Sequence, residues 1–220
     1  LPTMITVGNG SSDIIEFIAK CFLSSGDTAI YSKHGFAIYP LAIKASGAEA
    51  IKVDAKNWGH DLEAMADAIQ ENTKVIFIAS PNNPTGTALT LEEIEKFLTK
   101  IPDNIVVLID QAYFEYVENE EFKVPFKLVE KFKNLIISRS FSKAHGLAAF
   151  RLGFSISSEE IADYLNRVRQ PFNANSLALA AGIEAIEDEE HIFKSVKLNK
   201  LGLEMIKAKF DDLGFEYINS

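Results

Sequence analysis

Apolar runs of strand length recur along this chain with amphipathic segments between them, and that alternation limits its possible folds more than any other feature. The runs fall at 28–31, 50–53, 75–79, 105–109, 135–138 and 152–156. Between them, segments such as 14–23, 62–69, 91–98 and 161–168 place apolar residues at helical spacing. Two of these open on what reads as a capping box, Thr90-Leu91-Glu92-Glu93 and Ser157-Ser158-Glu159-Glu160. A strand that is apolar along its whole length needs cover on both faces. The pattern therefore predicts an α/β domain of three layers, αβα, around a mostly parallel sheet. Sheets of this kind bind ligands beyond the carboxyl ends of their strands, which says where chemistry should lie.

The last third changes character. From Ala174 to about Leu213 the pattern is nearly all helical, and 215–218 could form a strand. We read residues 1–187 as a large domain, and 188–220 as a long helix and first strand leading into a smaller C-terminal domain. The chain opens on Leu1-Pro2 rather than Met, and it stops just after the strand-like run. Both ends look cut, so a fragment of a longer protein is expected.

Composition closes off several classes. With 47% hydrophobic residues over 220 positions the chain can bury a real core, and 24% charged residues are too few for a disordered chain. A net charge of -9 argues against nucleic acid and against anionic membrane surfaces as partners. No apolar stretch approaches the roughly 18 residues of a membrane span, and the first residues given lack the basic-then-apolar pattern of a signal peptide. Cys21, the single cysteine, sits in the apolar run 17–23 and is expected in the core. It allows no internal disulfide, which fits a reducing cytoplasm. His34, His60 and His191 show no metal-ligand spacing and read as surface or packing residues, so no metal is expected.

Four segments could carry chemistry. Val7-Gly8-Asn9-Gly10-Ser11-Ser12-Asp13 puts two glycines and two hydroxyls before an amphipathic helix, a ready anion site. An ordinary capped turn would look the same, and neither a dinucleotide fingerprint nor a P-loop is present. Ser80-Pro81-Asn82-Asn83-Pro84-Thr85-Gly86 makes a rigid loop at a strand's carboxyl end, from which Asn83 could offer an amide. A tight connection with no ligand fits equally well. Asp110 ends the run 105–109, where an acid would face the ligand crevice or cap the next helix. In Ser138-Arg139-Ser140-Phe141-Ser142-Lys143-Ala144-His145-Gly146-Leu147, Lys143 could be merely solvated, and Arg151 one more surface charge.

Taken together and in this order, the S-P-N-N-P-T-G loop, the D-x-A-Y strand end and the S-x-S-K-x-x-G-L-x-x-x-R segment resemble the signature set of fold-type I, class I/II aminotransferases, over residues 8–151. Within that family the chain is most similar to the histidinol-phosphate aminotransferases. The similarity lies in Arg169-Gln170-Pro171-Phe172-Asn173, Asn175-Ser176-Leu177-Ala178, Asp61-Leu62-Glu63-Ala64-Met65 and His34-Gly35-Phe36-Ala37-Ile38-Tyr39.

The resemblance implies pyridoxal 5'-phosphate (PLP) as cofactor, with Lys143 bonded to it and moving the substrate's proton. Asp110 would meet the pyridine nitrogen, Tyr113 and Asn83 the phenolate oxygen, and Phe36 the ring face. Ser11, Ser12 and the backbone of Asp13 would hold the phosphate from one side, and Ser140, Ser142 and Arg151 from the other. Four positions depart from the common pattern. Gln111 stands for Glu or Ala and is expected to point away from the ring with little effect. His145 replaces an aromatic, and Ala149-Phe150 replaces Gly-Leu.

The implied activity is transamination between an amino donor and a 2-oxo acid, foremost histidinol phosphate with 2-oxoglutarate, in a cytoplasmic homodimer. An aromatic or broad-specificity aminotransferase, or a threonine-phosphate-type decarboxylase, are the nearest rivals. A non-catalytic PLP-binding effector domain of a regulator is the rival of another class.

Overall fold

The computed structural model describes residues 1–219. Seven strands form one sheet: β1 (Ile5–Gly8), β2 (Thr28–Ser32), β3 (Glu49–Val53), β4 (Thr73–Ala79), β5 (Val106–Asp110), β6 (Leu135–Ser140) and β7 (Gly153–Ile156). Their order is β1-β7-β6-β5-β4-β2-β3. Strand β7 runs antiparallel to both neighbours, and the other pairings are parallel. The helices are α1 (Ser11–Phe22), α2 (Ile38–Ala45), α3 (Leu62–Asp67), α4 (Leu91–Leu98), α5 (Leu128–Lys131), α6 (Glu159–Val168), α7 (Ser176–Glu187) and α8 (Glu189–Leu213).

Alternate residues of the central strands feed two separate cores, which makes the molecule three-layered. Val75, Phe77, Leu108 and Ile136 join Ile14, Ile18, Ile43 and Leu165 of α1, α2 and α6 on one face. Ile76, Ile78, Val107 and Ile137 join Met65, Ile94 and Phe97 of α3 and α4 on the other. The central strands β4, β5 and β6 are therefore buried on both sides, the physical origin of their unbroken apolar runs. Helix α1 follows the same logic, with Ile14, Ile15, Phe17, Ile18 and Ala19 buried at helical spacing.

Three readings change. The segment 215–218 forms no strand; Phe215 and Tyr217 fold back on Phe210, with ring centroids 6.0 and 5.8 Å away. A strand needs an edge to pair with, and none lies beside this segment among the described residues. The capping box at Thr90 and Glu93 forms, but the second does not. There Ser157 still belongs to the sheet margin, its amide donating to Met4 O at 3.1 Å. Ser158 becomes the cap of α6 and Ile161 takes the third helical position. Cys21 is half-buried rather than core, its thiol 3.3 Å from Tyr164 O and pushed up to about 11 by burial.

No helix among the described residues is long and apolar enough to cross a membrane. No cluster of three or more His, Cys, Asp or Glu among them could hold a metal ion.

Candidate active site

Strands β4, β5 and β6 are parallel neighbours, so their carboxyl ends open on one edge, and a cavity of about 220 Å³ lies there. Ten of the eleven residues singled out in the sequence line it: Ser11, Ser12, Phe36, Asn83, Asp110, Tyr113, Ser140, Ser142, Lys143 and Arg151. They come from six separate stretches of chain. The eleventh, Asp13, is not in the lining. Its amide donates to Gly10 O at 3.2 Å, and its carboxylate accepts from the Asn9 amide and the Asn173 side chain. Asp13 thus ties the turn before α1 to the 169–175 loop and leaves the anion-facing hydroxyls to Ser11 and Ser12.

The floor is Asp110, at the tip of β5 and 4% exposed. Three donors hold its carboxylate: Ser138 Oγ and the Ala112 amide on Oδ1, and Tyr39 OH on Oδ2, each at 3.2 Å. Burial raises its pKa above the ordinary carboxylate value, and these hydrogen bonds and the Lys143 charge pull back against that rise. All three donors are neutral, so a cationic N–H arriving at the floor would find an acceptor already oriented toward it. Tyr39 is fully buried, stacked on Phe77 at 5.1 Å and edge-on to Phe36 at 6.0 Å. Burial and the neighbouring carboxylate push its phenol well above the usual value, so it stays a donor.

At one side wall Asn83 Nδ2 donates to Tyr113 OH at 3.3 Å, and the Lys143 ammonium lies 5.1 Å from the Tyr113 ring centroid. At the opposite end α1 begins with Gly10 as its cap residue, which supplies no side-chain cap. Gly10 has φ +84°, and a Cβ there would run into the Arg151 guanidinium. Gly153 is equally constrained, since a Cβ would strike the Ser11 amide. Two glycines thus let β7 and Arg151 close down on the helix start. Arg151, itself left-handed at φ +58°, donates from Nη1 to Ser142 Oγ (3.3 Å) and Ala148 O (3.2 Å). Serine hydroxyls, a helix start and a guanidinium converge there, a donor set suited to a phosphate.

Tyr39 and Ser138 carry the floor but had no role in the sequence reading. Tyr39 lies in the Phe36 segment, and the only available signal was its place three residues after Phe36. Its partner is 71 positions away. His60, read from the sequence as a surface or packing residue, is buried and packs on the end of β4. Nε2 packs on Ala79 at the end of β4, 2.9 Å from its carbonyl oxygen and 3.2 Å from its nitrogen, and burial lowers the ring's pKa to about 4.

A sheet-edge cavity pairing one lysine with a buried aspartate and a phosphate-type donor set defines a class, and the comparisons agree. The family model for class I and II aminotransferases matches residues 2–220, and the chain belongs to that family. Its curated relatives include histidinol-phosphate aminotransferase 2 of Pseudomonas fluorescens Pf-5, 49% identical over 98% of this chain and 58% of that protein. Histidinol-phosphate aminotransferase 1 of Mannheimia succiniciproducens is 50% identical over 100% of this chain and 60% of that protein. The chain therefore spans about three-fifths of the length of these relatives. Among solved structures, histidinol-phosphate aminotransferase from Sinorhizobium meliloti, in complex with pyridoxal-5'-phosphate, superposes with TM-score 0.84 at 26% identity, over 89% of this chain and 53% of that one. Aspartate aminotransferase from Thermus thermophilus shares the fold, with TM-score 0.89 at 19% identity over 99% and 59%.

Proposed function

We propose that the full-length protein is a PLP-dependent aminotransferase acting on histidinol phosphate, with 2-oxoglutarate as amino acceptor. One observation carries the chemistry: Lys143, Asp110, Tyr113, Asn83 and Arg151 line a single 220 Å³ cavity although the sequence separates them by up to 68 positions (151 - 83). The choice of substrate rests on the name shared by relatives 47–50% identical over nearly the whole chain.

The residues fit the cofactor. A buried carboxylate with only neutral donors suits a protonated ring nitrogen, and the pairing of Asn83 with Tyr113 suits an oxygen on the ring edge. Gly10 leaves room for the Arg151 guanidinium to lie against the start of α1, and Ser11, Ser12 and Arg151 line the same cavity, a donor set suited to a phosphate. Bound PLP supplies an electron sink that stabilises negative charge on the substrate carbon.

The chain's own residues supply the rest. Asp110 would hold a proton on the ring nitrogen by presenting its carboxylate in a buried setting, which would strengthen the electron sink. Ser11, Ser12, Ser142 and Arg151 would hold the anionic end. Tyr113 orients the ring edge and, through its aromatic face, keeps the Lys143 ammonium near. Lys143 Nζ is the amine that would hold the cofactor covalently, and when free it would move a proton at the substrate carbon.

We further read residues 1–187 as the large domain and 188–220 as the lead into a smaller one, in a cytoplasmic homodimer. Helix α8 buries no residue and exposes Phe193, Leu198, Leu201 and Met205, as an element with further cover would. The test is an assay of the full-length protein with histidinol phosphate against phenylalanine and aspartate. A clear preference for phenylalanine would replace the assigned substrate, and no amino transfer to any 2-oxo acid would remove the activity.

A further inference from the structure

Behind the cavity wall lies a second polar cluster that the proposed chemistry leaves unused. Its centre is Glu115, whose side chain is 11% exposed. Oε1 lies 3.6 Å from Arg139 Nη1 and 3.7 Å from His145 Nε2. Oε2 is buried with no hydrogen-bond partner. Arg139 donates from Nε to Gln111 Oε1 at 3.2 Å and lies over the Phe114 and Phe126 rings, 3.2 and 4.3 Å from their centroids. Burial lowers its pKa to about 10, and the Glu115 charge works against that fall. His145 Nδ1 is 3.2 Å from the carbonyl of Ala185 in α7. A carbonyl only accepts, so Nδ1 carries the hydrogen and Nε2 is the atom turned to the carboxylate.

Every member of this cluster adjoins a cavity residue in sequence. Gln111 follows Asp110 and Glu115 lies two beyond Tyr113. Arg139 precedes Ser140 and His145 lies two beyond Lys143. The two segments that carry half of the ten lining residues named above are therefore tied from behind by one buried carboxylate placed between the Arg139 guanidinium and the His145 ring. Such a carboxylate cannot be removed cheaply, because its loss leaves buried positive charge without a counter-charge. Gln111 has a definite job here too, bridging Arg139 and Val124 O.

We infer that Glu115 is a positioning residue, locking the Tyr113 loop to the Lys143 loop, and that His145 carries this lock onto helix α7. The inference rests on the aminotransferase reading for its effect on turnover, but the lock itself is a property of the folded chain. The other titratable groups around the lock are Tyr116, whose phenol is raised by burial and by the Glu115 charge, and His191 of α8, whose ring lies next to Gly146.

The test uses full-length protein, wild type beside E115Q, E115A and H145N. Amide exchange in the cofactor-free protein reads the lock, and E115Q is expected to speed exchange across residues 143–147 by about tenfold. With PLP added, the absorption band of the lysine-bound cofactor is followed against pH. In E115Q its midpoint should move down by about half a unit, because Arg139 then faces the loop without its counter-charge. Turnover should fall about tenfold with KM changed less than twofold, the split expected when geometry rather than binding is lost. H145N should show the exchange effect mainly in α7. Should E115A fail to fold, E115Q carries the test, since it keeps the volume. Unchanged exchange, midpoint and turnover in E115Q would overturn the inference. A wild-type protein without the band, yet with faster exchange in E115Q, would keep the lock and sink the aminotransferase reading instead.

Discussion

The floor and the rim of the cavity are built by different means. At the floor, Asp110 and Tyr39 are buried, and the carboxylate is held by three hydrogen bonds from the sheet and α2. At the rim, Lys143 and Arg151 are exposed, and Arg151 makes both its hydrogen bonds from one nitrogen. A buried acceptor left unpaired costs about 1–3 kcal/mol, so pairing it within the fold is favoured. A rim cation has water until a ligand arrives. The floor is therefore preorganised for one charge at one place, whereas the rim is completed by what binds there.

The sharpest break between the two is expected at Lys143. Lys143→Ala should reduce amino transfer by on the order of 10⁴-fold, as loss of a covalently acting group does. The floor should survive this change, so PLP should still bind without becoming fixed by borohydride. Recovery of label on another lysine would reassign the site.

Asp110→Asn tests the floor, and its two effects should have opposite signs. Turnover should fall by about 10²- to 10³-fold, since a neutral amide does not hold a proton on the ring nitrogen. Stability of the cofactor-free protein should rise. The folded pKa of Asp110 is raised above its ordinary value, so the native state disfavours the ionised form. The resulting loss of stability appears as pH climbs through the folded pKa and is absent below the ordinary value of 3.8. Thermal denaturation at pH 7 should therefore favour the Asn variant, and near pH 3 the difference should close. A variant less stable at pH 7 would show that the carboxylate's hydrogen bonds outweigh its burial.

Rim and floor also differed in how much the sequence disclosed. Strand positions such as Val75–Ala79 of β4 were legible because burial on both faces leaves no polar gap, but β1, only four residues at the sheet edge, carried no such signal. Lys143 and Arg151 stood out through their motif, and read singly each could have been a surface charge. Tyr39 gave no sign of its part in the floor, nor did His60, because their partners lie 71 and 19 positions away and only the parallel sheet brings them together. Gln111 was expected to point away from the ring; its side chain is buried outside the cavity lining and bonds Arg139 and Val124 O. Its grip on Arg139 depends on the register of β5 against β6, which residue spacing does not encode.

His60 offers a way to unsettle the floor alone. Its pKa is lowered to about 4 from 6.5, with burial as the main cause. Stability from keeping this ring neutral is fully present above pH 6.5 and is lost as pH falls toward 4, a loss on the order of 3 kcal/mol for a shift of this size. Replacing His60 with Gln should flatten the stability-pH curve in that window. Chemical denaturation at pH 7, 6, 5 and 4 would reveal it, and an equally steep curve in the variant would place the acid sensitivity elsewhere.

The smallest effect is expected from Tyr39→Phe, which separates preorganisation from charge at the floor. The ring stays packed between Phe36 and Phe77, so only the hydroxyl on Asp110 Oδ2 is lost. One hydrogen bond to a charged acceptor is worth about 1.5–3 kcal/mol, and water or the remaining donors should recover part of it. Turnover should fall about fivefold to tenfold. That bond favours the ionised carboxylate, so its removal should raise the pKa of Asp110 further. The acid limb of the activity profile should accordingly move to higher pH, while binding at the rim, measured with inorganic phosphate, should not change. If the acid limb stayed in place, Asp110 would be held by Ser138 and Ala112 alone, and the contrast between a braced floor and a yielding rim would lose one of its three braces.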